Sequence, residues 1–191
     1  MNITLSRQQV EEAHRLACQS IARWADVPGH YNNRLRSHLV GRIGEIAAAT
    51  WLQDAELRLT RHYFDPKAER LCDISVNQAD GGVVRIEVKT WTAQYWPDLG
   101  RCIAIDQYNA LCQKCDLVVW CVLANPIPVI EATEYDTFTV DTGRWSTLED
   151  IKTAPQRWTG RGSMRKVHNY QVDETTLRGS DSLLTLLKGP G

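Results

Sequence analysis

The sequence has no apolar run long enough to cross a bilayer: the longest, Leu117 to Ala124, spans eight residues, against the about 20 that a membrane helix needs. The N-terminal stretch MNITLSRQQVEEAHR is polar and lacks the apolar core of a secretory leader, so a cytoplasmic protein is expected. In that setting the six cysteines are expected to be free thiols. Neither charge is in excess, with 22 Lys and Arg against 23 Asp and Glu and a formal charge of −1. Any affinity for nucleic acid must therefore come from local patches and bound metal, since there is no bulk basic field. A phosphate-cradling glycine loop, a dinucleotide fingerprint and a serine-nucleophile motif are all missing, and none of the five histidines has a ligand partner at helical or knuckle spacing. There is no internal repeat and no low-complexity segment.

What is present is the composition of an ordinary globular chain, 43% hydrophobic and 24% charged. Its 191 residues suit one domain with a real core. Ser6 and Gln9 read as a capping box, and Val10, Ala13, Leu16, Ala17, Ile21 and Trp24 recur at helical spacing up to Pro28-Gly29. A second helix is predicted over about Asn33 to Gln53, with Leu35, Leu39, Ile43, Ile46, Ala47, Thr50 and Trp51 on its buried side. Short apolar runs then predict strands at Leu57 to Leu59, Cys72 to Val76, Val83 to Val88, Asp116 to Leu123 and near Ile127 to Glu131. Ile105 to Lys114 has helical periodicity and lies between two of them, as a crossover connection does. A helix is predicted to open at Ser146-Thr-Leu-Glu149, and Leu183 to Leu187 forms a short apolar end. The order implies an α/β fold, a mixed central sheet with helices on both faces.

In the run VVRIEVK the strand period of two places Arg85, Glu87 and Lys89 on one face and Val84, Ile86 and Val88 on the other. Asp80-Gly81 is a hairpin turn signal. A turn centred near Ala79 to Gly81 sets Asp73 opposite or diagonal to Glu87, with side chains roughly 5 to 8 Å apart. Facing carboxylates repel, so a hairpin that keeps them is expected to hold a cation between them. On this reading, removing either acid should leave the hairpin stable. Glu45 adds a third carboxylate from the second helix, where Gly41, Gly44, Ala48 and Ala49 would let the helix lie close to the sheet. A charge there must be paired or bound to metal, and a hard ion such as Mg²⁺ suits an all-oxygen set.

These residues resemble the PD-(D/E)XK nucleases, whose pattern is a helix Glu, an Asp opening a hairpin and a Glu-x-Lys on the next strand. The matching segments are GRIGEIAAATWL with Glu45, LCDISV with Asp73, and RIEVKTW with Glu87 and Lys89; Cys72 stands where the family often has proline. The resemblance covers roughly Leu39 to Thr90. It implies a restriction-endonuclease-like fold and Mg²⁺-dependent hydrolysis of phosphodiester bonds in DNA, with Mn²⁺ as a substitute. It also implies metal ligation by Asp73, Glu87, Glu45 and the Val88 carbonyl, a catalytic role for Lys89, and a homodimer as the acting form in many small relatives. Asp65-Pro-Lys67 and Asp150-Ile-Lys152 match the same triplet, but Pro66 is unsuited to a central strand and Asp150 belongs to a predicted helix. The rival reading is a non-catalytic nucleic-acid-binding module on the same fold.

Two further features invite function. Cys112-Gln-Lys-Cys115, with Cys102 and Cys121 nearby, has the spacing of a zinc half-site, although buried small hydrophobes explain Cys112 and Cys121 better. Ile151 to Val172 carries Lys152, Arg157, Arg161, Arg165 and Lys166 with no acid, whereas Glu131 to Asp150 carries six acids against Arg144 alone. The segment RWTGRGSMRK shows no helical or strand periodicity and is expected to be a mobile loop over DNA. There Arg157, Arg161, Arg165 and Lys166 would meet phosphates and Trp158 would stack on a base. Of the seven tryptophans, Trp24, Trp51 and Trp120 are expected in the core, and Trp91 and Trp96 join Trp158 as stacking candidates.

Overall fold

A computed structural model describes residues 1–24, 34–64, 71–125, 137–160 and 166–189. The elements run β1 (Asn2–Leu5), α1 (Arg7–Trp24), α2 (Arg34–Asp54), β2 (Arg58–Arg61), β3 (Ile74–Asn77), β4 (Val83–Thr92), α3 (Trp96–Leu99), β5 (Cys102–Ala104), α4 (Ile105–Lys114), β6 (Leu117–Leu123), β7 (Phe138–Thr147), α5 (Leu148–Lys152), β8 (Gln156–Thr159), β9 (Val167–Gln171) and α6 (Ser180–Lys188). Six strands form one mixed sheet in the order β1-β7-β6-β4-β3-β2, and β5-β9-β8 form a second, smaller antiparallel sheet. Only the β4–β6 pair of the large sheet is parallel, and α4 lies on the connection between those two strands, as a crossover requires.

Every residue of β6 is buried, because both faces of the sheet are covered. Its Leu117, Val119, Cys121 and Leu123 join α1, α2 and α6 in one apolar cluster, while Val118, Trp120 and Val122 join Leu111, Ile151 and the small sheet in another. This is the expected α/β arrangement, a mixed sheet with helices on both faces. Gly44 is what lets α2 lie so close to β4: a Cβ there would fall 1.8 Å from Thr90 Oγ1. Gly41 has no such duty, since nothing lies within 4 Å of its would-be Cβ. No described helix is long and apolar enough to span a membrane.

Several expectations are corrected. The N-terminal residues Asn2–Leu5 form an edge strand against β7. Phe138–Thr147 forms a full strand whose periodicity is broken by Gly143, at φ +91°, where the register against β6 slips. Ser146 is therefore a strand residue that accepts the Trp120 indole N–H, and the capping box of α5 is Thr147 with Asp150. RWTGRGSMRK is not wholly a loop: Arg157 and Trp158 lie on β8, paired to Asn169 and His168. With only four residues the strand is too short to show a period in the sequence. The predicted strand near Ile127 to Glu131 lies outside the described residues, as does the Asp65-Pro-Lys67 triplet.

Candidate functional site

The β3–β4 hairpin closes through Gln78 to Gly82, where the Gln78 N–H donates to the Gly82 carbonyl at 2.8 Å and Gly81 takes φ +87°. This turn sets the register Asn77 to Val83 and Ile74 to Ile86. Beyond that pair the ladder is irregular, and Asp73 binds the residues on either side of Glu87. The Asp73 N–H donates to the Ile86 carbonyl at 3.0 Å, and its Oδ2 accepts the Val88 N–H at 2.8 Å. Since N–H and C=O of a strand residue leave on the same side, the Val88 carbonyl faces the edge that Asp73 occupies.

Glu87 is 5% exposed and lies between two ammonium groups. Lys89 Nζ donates to Oε1 at 2.7 Å, and Lys114 Nζ sits 2.7 Å from Oε2. Each oxygen of this buried carboxylate thus faces one ammonium group. Glu45, on α2, is paired with Arg42 at 2.6 Å, and Arg42 also donates to Ser20 on α1 at 2.9 Å. Glu45 is thus not an unpaired buried charge, which meets one of the two conditions set for it above.

Three carboxyls respond differently to this crowding. Burial, then the neighbouring Glu87 and Glu45, lifts the Asp73 carboxyl well above the usual carboxylate range. Burial also raises Glu45, against the opposing pull of Arg42. Burial would raise Glu87 too, but the Lys89 and Lys114 ammonium groups together hold it below its ordinary value. The structure therefore brings Glu45, Asp73, Glu87 and Lys89 into mutual electrostatic contact, as expected from sequence, and adds Arg42 and Lys114. Lys114 is the last residue of the crossover helix, where the only sequence cue is a cation at a helix C-terminus.

Among the described residues no three His, Cys, Asp or Glu side chains converge tightly enough to enclose a metal ion as they stand. Yet the donor set suits a hard divalent cation: it is all oxygen and it sets two carboxyls close enough to repel. Asp73, Glu87 and the Val88 carbonyl are the groups that would hold such an ion, with Glu45 behind them.

The basic stretch lies elsewhere. Arg157, Trp158 and Lys166 are exposed on the small sheet, with Trp158 67% exposed and stacked on His168 at 4.8 Å, whereas Arg161 and Arg165 lie outside the described residues. Trp51 and Trp120 are core residues; the Trp24 side chain is outside the description. Trp96 is no stacking platform: it is 6% exposed, donates to Glu174 and is covered by Arg101 and Arg144. The cysteines do not assemble either, since Cys115 and Cys121 belong to clusters on opposite faces of the sheet and burial pushes both thiols up to about 12. No known protein family, curated protein or solved structure matches the chain.

Proposed function

We propose that the protein is a Mg²⁺-dependent nuclease of the PD-(D/E)XK type that hydrolyses phosphodiester bonds in DNA. The observation that carries this reading is Asp73 bound to the backbone on either side of Glu87, with Lys89 donating to the Glu87 carboxylate. Mg²⁺ or Mn²⁺, when bound, supplies Lewis-acid polarisation of a phosphate oxygen and a more acidic water. The chain's own residues do the rest. Asp73 and Glu87 hold the ion, and Glu45, braced by Arg42, orients the second rank of the site. The Val88 N–H keeps the Asp73 carboxylate from rotating. The Lys89 ammonium positions the attacking water and stabilises charge that develops on the phosphate. Arg157, Lys166 and Trp158 offer flanking contacts for the substrate strand, and a homodimer would allow both strands to be cut.

One observation favours the second reading, a nucleic-acid-binding module without catalysis: both oxygens of Glu87 already lie against ammonium groups. The test is cleavage of linear, circular, single-stranded and branched DNA in Mg²⁺ or Mn²⁺, with EDTA abolishing it and Ca²⁺ supporting binding better than cutting. DNA binding without cutting of any of these would install the second reading in place of the first.

A further inference from the structure

A cavity of about 430 Å³ opens where the first turns of α2 meet the end of β4. Its walls are Arg36, Ser37 and Val40 from α2, Thr90, Trp91 and Thr92 from β4, and Tyr95 just after the strand. It exists because of the sheet topology. The β3 pairing of β4 begins at Val83 and ends at Ile86, while β4 runs on to Thr92 with only β6 beside it, so past Glu87 no described strand covers the other edge. The carboxylate site and the cavity lie in succession along that open edge, Lys89 being the residue before Thr90. On α2, Glu45 lies eight residues beyond Ser37, about 12 Å along the helix axis.

The lining specifies its occupant. Among the described lining residues there is no carboxylate and one guanidinium, that of Arg36, whose several donors can serve an anionic group beside the partner it already has. Tyr95, 40% exposed, supplies an aromatic surface, while Trp91 beside it packs against the apolar cluster on the other sheet face, so a planar ring has something to stack on at Tyr95. Thr92 is only 5% exposed, and its hydroxyl is buried without a hydrogen-bond partner. Such a group is costly to leave unmade; a ligand with donors and acceptors on its edge would satisfy it. Thr90 Oγ1 is likewise buried without a partner, but it packs against Gly44 where α2 and β4 touch. An anion, a planar ring and a polar edge together describe a nucleotide, and the volume is at the scale of small-ligand sites. A base inside a duplex has its faces stacked and its edge paired, so the base must be an unpaired one.

We propose that this cavity is a nucleotide subsite that takes one unpaired base of a DNA strand, with its phosphate at Arg36, next to the carboxylate site. The proposal rests on the nuclease reading and narrows it to strands with unpaired nucleotides near the cut.

Binding in EDTA tests the subsite without any catalysis. Fluorescence anisotropy would compare a short oligothymidine with a blunt-ended duplex, on the wild type, Thr92→Val and Tyr95→Ala. Thr92→Val keeps the shape and removes only the hydroxyl, so its melting temperature should equal or exceed that of the wild type. Its affinity for oligothymidine should fall about three- to tenfold. Tyr95→Ala should lose about tenfold or more. Affinity for the blunt duplex should change less than about twofold in both. Unchanged oligothymidine affinity in both variants overturns the proposal, and so do equal losses for the duplex. The two readings fail separately. A protein that binds oligothymidine through Thr92 and Tyr95 but cuts no DNA in Mg²⁺ keeps the subsite and loses the nuclease. One that cuts DNA while both variants bind as the wild type does the reverse.

Discussion

Replacing the Asp73 and Glu87 carboxylates by their amides should move stability in opposite directions while removing activity in both cases. Glu87→Gln removes the charge that both Lys89 and Lys114 face at 2.7 Å, and turns one of its two oxygens into an N–H aimed at an ammonium. Breaking one side of a buried pair costs about 3–5 kcal/mol. Here the Lys89 side chain is 36% exposed and Lys114 26%, so water takes up part of the loss, and about 1–3 kcal/mol remains. At about 2–4 °C per kcal/mol for a chain of this size, Tm should fall by roughly 2–12 °C. Asp73→Asn removes a carboxyl that is disfavoured as an anion by burial and by Glu87 and Glu45. The amide oxygen can still accept the Val88 N–H, so Tm should hold or rise by up to about 4 °C. The stability expected from sequence for removal of either acid therefore applies to Asp73 and not to Glu87. Thermal melts in EDTA give the signs, and a cleavage assay in Mg²⁺ should show both variants down by at least about a hundredfold. A drop in Tm for Asp73→Asn as large as that for Glu87→Gln would refute the reasoning, because it would mean that the two acids sit in equivalent surroundings.

Other outcomes follow from the same geometry. Mg²⁺ should raise the Tm of the wild type and leave that of Asp73→Asn nearly unchanged, and calorimetric titration should lose its heat in the variant; equal shifts in both would place the ion elsewhere. Gly44→Ala puts a methyl 1.8 Å from Thr90 Oγ1 and should cost about 1–3 kcal/mol together with loss of cleavage, as α2 is pushed from β4. Gly41→Ala, with open space at its Cβ, should instead gain up to about 1 kcal/mol in chemical denaturation. Burial of Asp150 works against its ionisation, but the Thr147 bonds and Arg178 prevail and hold its carboxyl below the usual value. A depressed folded pKa means stabilisation that is present above about pH 4 and lost as pH falls through the folded value. The Tm gap between the wild type and Asp150→Asn should thus be full at neutral pH and shrink below about pH 4; a constant gap would show that the carboxylate charge is not what stabilises α5.

Local order and register were readable in the sequence. Helical spacing located the start of α1 and both bounds of α2 and α4 to within a residue or two, since each carries an apolar stripe. Asp80-Gly81 placed the turn, and because a hairpin's register follows from its turn, the nearness of Asp73 to Glu87 came with it, although the ladder is irregular at Asp73 itself. Lys89 shared the face of Glu87 by strand period alone. What sequence could not supply were the relations between segments far apart in the chain. Lys114 reaches Glu87 across 27 residues, and Arg42, one turn from Glu45, also ties α2 to Ser20 of α1. The strands β5, β8 and β9 have three to five residues, too few to establish a period, and exist by pairing with one another. The cavity beside Thr92 belongs to no segment at all: it depends on where β3 stops, how closely Gly44 lets α2 approach and how far β4 runs on, three distances that side-chain packing settles and periodicity does not encode.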